Sequence, residues 1–458
     1  MDRASAVPRV RDLPGERARE WVSAYRTNAA PSTYVYDFVW DPAKPAIGPF
    51  CTDVDSNVFL DFTSHVGAAP LGYNNPSILE PMAEFDLVDP LKIAGHDFYI
   101  GHGEATEADF PGPAGVMDRL VAASSEYGLD RVFLSNSGAE AVENAIKVCY
   151  SASGGTYGIT FEGAFHGRTL GALSLNRSKS VYREGFPELA GTHDMPFCQD
   201  RTCTAETCGC GFFVENGAAG NTAGGDPEDV TSALRRALDP DSGFIDPDGV
   251  AYLILEPIQG EGGYRFPSEA FATEIERLRR EHDFLLVADE IQSGMGRTGE
   301  FWGVDHYPIE PDVITAAKAL RVGATISRAD VFPTQESRLS STWGAGDLLA
   351  SMQGALTIDA IHEEELMENA RVRGQEFKER LRDETLESVT DVRGKGLMLA
   401  LEFDEKERRD DVIEAALSRG LLTLGCGRKT LRILPPLDVT AREIGLGIDL
   451  LADAIEAT

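Results

Sequence analysis

The sequence predicts an α/β fold built around a mainly parallel β-sheet. Short apolar runs, such as "YLILEP" near residue 252 and "FLLVAD" near residue 284, alternate with amphipathic helical stretches through the middle of the chain. This alternation is typical of parallel strands joined by helices that cover the sheet. With 458 residues, the chain is long enough for a substantial core and for two or three domains.

The final third of the chain has a different pattern, in which long charged helices flank short strands such as "LMLALEF" and "TLRILPPL". We interpret residues 346–458 as a smaller α+β domain. Residues 63–345 then form the large domain, with an insertion at about 196–228 that includes a glycine-rich polar loop. The N-terminal segment, residues 1–62, is expected to pack with the smaller domain.

Acidic residues greatly outnumber basic ones. The chain has 75 Asp and Glu against 42 Lys and Arg, a formal net charge of −33, and only nine of the basic residues are lysines. Such a field repels nucleic acid and anionic membranes, so we expect neither as a partner. An acidic, lysine-poor surface suits a salt-rich cytoplasm, where ions screen self-repulsion. We therefore expect a halophilic source; the alternative is an acidic mesophilic protein.

The N-terminal sequence "MDRASAVPRVRDLPGERARE" lacks the apolar stretch of a signal peptide. No run in the chain approaches the roughly 20 apolar residues of a membrane-spanning helix. These two features predict a soluble cytoplasmic protein.

Four of the seven cysteines lie close together in "CQDRTCTAETCGCG", at Cys198, Cys203, Cys208 and Cys210. Clustered thiolates can share a zinc ion, or two of them can form a disulfide. The cluster contains neither a C-x-x-C pair nor a histidine. We therefore expect a surface loop with free thiols, and a metal site or a disulfide remains the alternative.

The strand "LLVAD" ends at Asp289. Ligands of open α/β sheets bind beyond the carboxyl ends of the strands, so this side chain is a candidate ligand-binding group. Taken alone, an aspartate in this position is more often a helix N-cap.

The stretch "VFLSNSGAEAVENAIK" takes another strand through Ser137 and Gly138 into a helix that begins near Ala139. Small residues at a helix N-terminus leave backbone N–H groups available, and the helix dipole favours an anion such as phosphate. Many turns of this kind bind nothing.

In the loop "GAFHGRTLGALS", the aromatic ring of Phe165 could cover a planar ligand, and Arg168 could bind a carboxylate. The alternative is a core phenylalanine beside a surface arginine. Further along, "PDVITAAKALRVG" sets Lys318 among apolar residues. Desolvation favours the neutral amine, a nucleophile that forms Schiff bases with aldehydes. An isolated lysine is more often a surface residue with a buried stem.

Together these stretches match one molecule, pyridoxal 5′-phosphate (PLP). Its phosphate suits the helix end, its ring suits Phe165, its aldehyde suits Lys318 and its pyridine nitrogen suits Asp289. A carboxylate beside that nitrogen keeps it protonated, so that the ring can accept electrons when a C–H bond of the substrate breaks. The positive charge of the protonated nitrogen would offset the cost of removing the Asp289 carboxylate from water.

With these residues assembled, the chain resembles the class III aminotransferases, which include 4-aminobutyrate, ornithine, acetylornithine and lysine ε-aminotransferases. The resemblance runs in the family's order from "CTDVDSNVFLDF" at residue 51 to "LRILPPL" at residue 431. It implies a fold-type I PLP-dependent transferase, with a mainly parallel seven-stranded sheet in the large domain. It also implies a homodimer with shared active sites, which could pair into a tetramer.

The resemblance further implies a role for each matching residue. Ser137, Gly138 and Ala139 would bind the phosphate, Phe165 would stack on the ring and Asp289 would pair with its nitrogen. Gln292 would approach the ring hydroxyl, and Lys318 would be both the Schiff-base lysine and the catalytic acid/base. Thr342 matches the threonine that the family contributes to the neighbouring subunit's phosphate.

On the substrate side, Arg168 matches an arginine that in several relatives binds the carboxylate far from the reacting amine. Arg432 matches the arginine that binds the α-carboxylate of glutamate or 2-oxoglutarate, and Glu261 matches the glutamate that pairs with this arginine when other substrates are bound. The chain departs from the family at Gly346 and Asp347, where relatives usually have asparagine and proline. It also has "RVGATIS" after Lys318, where the family often has a glycine-rich turn. This turn and the stretch "STWG" are closer to the lysine ε-aminotransferases than to the 4-aminobutyrate enzymes.

We therefore expect a ping-pong transaminase that moves the terminal amino group of an ω-amino acid or diamino acid to 2-oxoglutarate, with pyruvate as the alternative acceptor. The alternative is an amino-acid racemase of the same fold, since some archaeal members of the family racemise amino acids. The pair Glu261 and Arg432 favours transamination. A cofactor-binding protein without catalysis is disfavoured, because every expected chemical group is present.

Overall fold

The computed structural model describes residues 1–34, 36, 38–84, 111–189, 191–199, 204, 208–215, 230–340, 344–384 and 386–458. The chain forms two compact units. One contains Met1–Glu84, Arg297–Gly299 and Ala360–Thr458, and we call it the terminal unit. The other contains Phe85–Gly296 and Glu300–Asp359, and we call it the central unit.

The central unit is built on a seven-stranded sheet with the order β3-β11-β10-β9-β8-β4-β5. Six strands run parallel, and β11 is antiparallel to both of its neighbours. The predicted mainly parallel sheet is thus confirmed. The strands of this sheet are β3 (Arg131–Ser135), β4 (Tyr157–Phe161), β5 (Gly191–Met195), β8 (Val250–Leu255), β9 (Leu285–Asp289), β10 (Val313–Ala316) and β11 (Gly323–Ser327).

The middle of this sheet is covered on both faces. All six residues of β8, "VAYLIL", are buried, as expected for a parallel strand with helices above and below it. Among the described residues, the helices of the central unit are Pro113–Ala123, Gly138–Ser153, Leu170–Ser174, Ala233–Ala237 and Glu269–His282, and Leu348–Glu363 begins in it. Short 3₁₀ turns lie at Ser125–Tyr127, Ser180–Tyr182, Pro247–Gly249, Gly303–His306 and Lys318–Leu320. A separate antiparallel hairpin pairs β6 (Phe213–Glu215) with β7 (Val230–Ser232).

The terminal unit brings the two ends of the chain together. Its three-stranded sheet combines β1 (Phe50–Thr52) and β2 (Val58–Asp61) with β14 (Leu421–Leu422). A four-stranded antiparallel sheet follows, in the order β12 (Val389–Lys395), β13 (Met398–Phe403), β16 (Thr430–Ile433) and β15 (Leu424–Cys426). Near the N-terminus, Arg3 donates hydrogen bonds to the carboxylates of Asp438 and Glu443.

The remaining helices belong to this terminal unit. They are Glu16–Asn28, Ser64–Gly67, Pro76–Glu84, Leu366–Asp383, Lys406–Ser418 and Ala441–Glu456. The last one starts with a capping box, in which Thr440 accepts from the backbone N–H of Glu443 and the Glu443 carboxylate accepts from the backbone N–H of Thr440.

The compact units divide after residues 84 and 359, whereas the sequence interpretation places the divisions after residues 62 and 345. Residues 1–62 lie in the same compact unit as the C-terminal segment. Within the described part of the chain, no helix is long and apolar enough to span a membrane.

Candidate active site

Asp289 is the last residue of β9 and is buried, with 3% of its surface exposed. Its Oδ2 atom lies 2.7 Å from Nδ1 of the His166 imidazole, and its Oδ1 accepts from the Thr315 hydroxyl and the Ile291 backbone N–H, both at 3.2 Å. The parallel register of β9 and β10 places Thr315 directly beside Asp289. These partners hold the carboxylate at the carboxyl edge of the sheet, where the sequence predicts a ligand.

The hydrogen bonds of Asp289 leave capacity for one more donor. A carboxylate offers about four lone-pair positions, and the described residues use three of them. His166 is itself oriented by a hydrogen bond from its backbone N–H to the Asn176 side chain, 2.6 Å long. Asp289 is therefore a rigid acceptor suited to a ring N–H.

The predicted phosphate-binding turn lies at the N-terminus of the helix Gly138–Ser153. The Ser137 hydroxyl caps this helix through the backbone N–H of Glu140, 3.2 Å away. The backbone N–H groups of Gly138 and Ala139 donate to no residue in the described ranges. Two donors and the positive end of the helix dipole thus remain available to an anion.

Close main-chain contacts place this turn beside the other candidate residues. A Cβ atom on Gly138 would lie 2.8 Å from the Ile291 side chain, two residues after Asp289. A Cβ atom on Gly167, next to His166, would lie 2.8 Å from Cβ of Ala139. Any side chain at Gly138 or Gly167 would push these segments apart, so the short distances depend on glycine.

Lys318 follows β10 and begins the 3₁₀ turn Lys318–Leu320. Its backbone has φ 28°, a strained value for a residue with a Cβ atom. The chain then returns as β11, whose Gly323 pairs with Ser135 at the end of β3. Lys318 therefore lies in the turn between β10 and β11, three residues after Thr315. β10 neighbours the strand that ends at Asp289, and β11 neighbours the strand that leads into the predicted phosphate-binding turn.

Gln292 lies on the segment that follows Asp289. Its Oε1 atom is buried and accepts no hydrogen bond from the described residues. A buried amide oxygen usually has a partner, so this atom marks a position where a ligand donor fits. A Cβ atom on Gly260 would collide with the Gln292 amide, which places Gln292 beside the loop after β8.

Phe165 and Arg168 lie next to each other in the loop before the helix Leu170–Ser174. The guanidinium carbon of Arg168 is 5.9 Å from the centre of the Phe165 ring and 5.4 Å from that of Tyr182. Phe165 and Tyr182 contact each other edge to face at 5.4 Å. The guanidinium group of Arg168 therefore contacts both aromatic rings, and the Arg168 side chain is exposed to solvent.

The other two predicted substrate residues lie in different units. In the central unit, the Glu261 carboxylate is 3.9 Å from the ammonium group of Lys179. In the terminal unit, Arg432 is buried in β16, opposite Ala400 of β13 and Leu424 of β15. The pairing of Glu261 with Arg432 therefore stays a prediction.

Thr342 and Cys203 lie outside the described residues, so their predicted roles stay predictions. Two residues after Thr342, a Cβ atom on Gly344 would lie 2.9 Å from Oδ1 of Asn136 in the same chain. Gly344 is thus close to the phosphate-binding turn of its own chain.

The expected surface position of the cysteine cluster is wrong for Cys198. This residue is completely buried, while Cys208 and Cys210 are partly exposed. No disulfide links the cysteines that the structure describes. Cys198 is buried because its neighbour Phe197 packs on Phe271 of the helix Glu269–His282.

Residues 38–455 match the family model described as "Aminotransferase class-III". The chain belongs to the class III aminotransferases. Class III aminotransferases are PLP-dependent, and several of the matching relatives are named aminotransferases, so the predicted family, enzyme class and cofactor are confirmed.

Relatives of this aminotransferase have more than one named activity. It is 32% identical to an acetylornithine aminotransferase from Methanopyrus kandleri over 96% of this chain and 99% of the relative. It is 30% identical to an alanine/serine racemase from Pyrococcus horikoshii over 97% of this chain and 92% of the relative. Among solved structures, a lysine aminotransferase from M. tuberculosis superposes with a TM-score of 0.78 at 27% identity, covering 96% and 99% of the two chains.

The residues of this aminotransferase fit PLP at each polar group of the cofactor. The available N–H groups of Gly138 and Ala139 suit its phosphate, and Asp289 suits its pyridinium N–H. The buried Oε1 of Gln292 suits the ring hydroxyl, and Lys318 offers an amine for the aldehyde.

The structure adds two residues to the candidate site to which the sequence assigned no role. His166 orients Asp289, and Glu256 follows β8 at the same edge of the sheet. The Glu256 carboxylate accepts from the backbone N–H groups of Phe165 and Gly260, at 2.9 and 2.8 Å. Its position directly after a buried strand, as for Asp289, is the signal that could have identified it.

Burial raises the pKa of Glu256 to about 7, with nearby His166 opposing this shift and Asp289 adding to it. A carboxyl group whose pKa is raised on folding stabilises the protein below its unfolded pKa, 4.5, and this contribution is lost as the pH rises through about 7.

We therefore expect the effect of Glu256→Gln on the free energy of unfolding to depend on pH. Between pH 4.5 and pH 7 the variant should gain stability relative to the parent protein, by up to about 3 kcal/mol, because the Glu256 carboxyl group ionises in the unfolded parent but keeps its proton in the folded parent. Urea unfolding of the cofactor-free proteins across this range measures the difference. Glu16→Gln, at an exposed position, controls for the loss of one negative charge. A Glu256→Gln effect that is constant with pH would contradict the assignment.

Proposed function

We propose that this class III aminotransferase moves the terminal amino group of an ω-amino acid or diamino acid to 2-oxoglutarate. The observation that carries the proposal is the exposed guanidinium of Arg168, 5.9 Å from the Phe165 ring that is proposed to stack on the cofactor. A cation at that position suits a substrate whose carboxylate is remote from its reacting amine. The acetylornithine and lysine aminotransferases among the relatives support this substrate class.

PLP, when bound, supplies an electron sink that lowers the cost of breaking the substrate's C–H bond. The residues of the chain would bind and orient the cofactor and the substrate, and one of them would move a proton. The Asp289 carboxylate would accept from the ring nitrogen and favour its protonated form, and the hydrogen bond with His166 would hold the carboxylate in this orientation. The Lys318 amine would be the general acid/base that takes the proton from the substrate carbon.

We further propose that Arg432 binds the α-carboxylate of 2-oxoglutarate and that Glu261 neutralises this arginine when the amino donor is bound. The pairing of the Glu261 carboxylate with a cation, the ammonium group of Lys179, at an oxygen–nitrogen distance of 3.9 Å supports this proposal.

A racemase is the second candidate, and the observation that favours it is the alanine/serine racemase from Pyrococcus horikoshii, which matches nearly the whole chain. Both reactions need the same cofactor groups and the same lysine. They differ in the fate of the amino group, which leaves with the cofactor in a transaminase and returns to the same carbon in a racemase.

The cofactor spectrum distinguishes the two reactions. We expect addition of N-acetylornithine, ornithine, lysine or 4-aminobutyrate, without any 2-oxo acid, to convert the bound cofactor to its amine form with at least one donor. Addition of 2-oxoglutarate should then restore the starting spectrum and release glutamate. Lys318→Ala should bind cofactor and complete no turnover. Loss of optical activity from L-alanine or L-serine without an added 2-oxo acid, together with no response to any ω-amine, would replace this proposal with racemisation.

We also propose a homodimer with shared active sites, from the match of Thr342 to the family's phosphate-binding threonine, and the dimers could pair into tetramers. A cytoplasmic location is proposed because the described cysteines form no disulfide, as is usual in a reducing compartment.

We propose that the protein is halophilic. The net charge of −33 creates self-repulsion that salt screens over a Debye length of about 8 Å at physiological ionic strength and about 3 Å at 1 M. The melting temperature should therefore rise steeply between low and molar potassium chloride. Calorimetry or fluorescence-monitored melting at matched pH measures this, with sucrose as a control for general stabilisation by excluded solutes. A melting temperature independent of salt would contradict halophily.

A further inference from the structure

The cysteine cluster forms a preorganised group of sulfur atoms in the central unit. Cys198 follows β5, whereas Cys208 and Cys210 precede β6. The Sγ atoms of these three residues all lie within 4.8 Å of one another, and those of Cys208 and Cys210 are 2.9 Å apart. Three thiols from two separate segments therefore converge on one point.

We propose that Cys198, Cys208 and Cys210 bind one Zn²⁺ ion. In a tetrahedral zinc site with Zn–S distances of about 2.3 Å, the sulfur atoms are about 3.8 Å apart. The observed range, 2.9 Å to less than 4.8 Å, brackets this value, so sub-ångström shifts bring the sulfur atoms into place. The ion's fourth position is left for water or another ligand. The three thiols bind as thiolates and release their protons to solvent.

The residues next to the cysteines keep the sulfur atoms in position. Phe197 and Phe212 are buried and pack on Phe271, with ring centres 5.1 and 4.5 Å from it. The Cys198 sulfur lies 3.2 Å from the hydroxyl of Ser268, which caps the helix Glu269–His282 through the backbone N–H of Phe271. The site thus rests on the core of the central unit.

Backbone N–H groups point at the two partly exposed sulfur atoms. The N–H of Phe213 donates to Cys208 Sγ at 3.4 Å, and the N–H of Phe212 is near Cys210 Sγ and favours its thiolate. Gly211, with φ +83°, makes the turn that brings both N–H groups back toward the sulfur atoms. Donors of this kind stabilise the negative charge of metal-bound thiolates.

A disulfide explains the positions of fewer of these sulfur atoms than a zinc ion does. It would join two of the sulfur atoms and leave the third thiol directed at the bond without a function. A zinc ion uses all three, and it would link the segment after β5 to the segment before β6.

Metal content and cobalt spectroscopy test the zinc site. The holoenzyme purified with a reductant and without chelators should contain about one zinc ion per chain by mass spectrometry. The double variant Cys208→Ser/Cys210→Ser should contain close to none, while Cys149→Ala, which removes a buried thiol elsewhere, should keep the zinc. Chelation should lower the melting temperature of the parent protein and of Cys149→Ala only.

A titration of the chelated, reduced parent protein with Co²⁺ provides a test that needs no folded variant. The expected result is a saturating absorption of tetrahedral thiolate-bound cobalt, at longer wavelengths than the cofactor absorbs, which Zn²⁺ abolishes. Absence of both zinc and this cobalt band would overturn the proposal. So would equal zinc content in the parent protein and the double variant, or a disulfide between Cys208 and Cys210 in protein isolated with thiols blocked at lysis.

Discussion

A buried carboxylate, Asp289, imposes the constraint on which the rest of the active site depends. Removing such a group from water is costly unless hydrogen-bond donors surround it. Each donor comes from a different part of the central unit, with Thr315 on the neighbouring strand β10 and His166 in the loop after β4. The order and register of the strands therefore allow a buried carboxylate at this edge of the sheet. Its hydrogen bonds leave one acceptor position for a ligand.

The pairing of β10 with β9 and β11 also explains why the strained backbone of Lys318 is tolerated. Its φ of 28° carries a cost on the order of 1–3 kcal/mol, which only surrounding structure can offset. β10 is held by β9 on one side and β11 on the other, so the chain must turn back within the few residues from Lys318 to Val322. The pairing of Gly323 with Ser135 then brings this turn toward the phosphate-binding helix. Packed strands thus determine where the lysine lies.

Local patterns predict a candidate site whose residues lie at the ends of secondary-structure elements. Asp289, Lys318 and the turn at Ser137 each follow a short apolar run, and the mainly parallel sheet follows from the alternation of such runs with helices. The contact between His166 and Asp289 joins residues 123 positions apart, and no local pattern encodes it. The burial of Cys198 was missed for the same reason, since it depends on the packing of Phe197 against a helix far along the chain.

In the proposed site, the turn after β10 presents Lys318 to a PLP molecule whose nitrogen faces Asp289. Borohydride reduction of the purified enzyme, followed by peptide mapping with mass spectrometry, tests it most directly because reduction makes the bond between the cofactor and its lysine permanent. The account predicts a pyridoxyl group on Lys318 and on none of the other eight lysines, with markedly less incorporation in Asp289→Asn at limiting cofactor. A pyridoxyl group on a different lysine, or equal incorporation in Asp289→Asn, would contradict it.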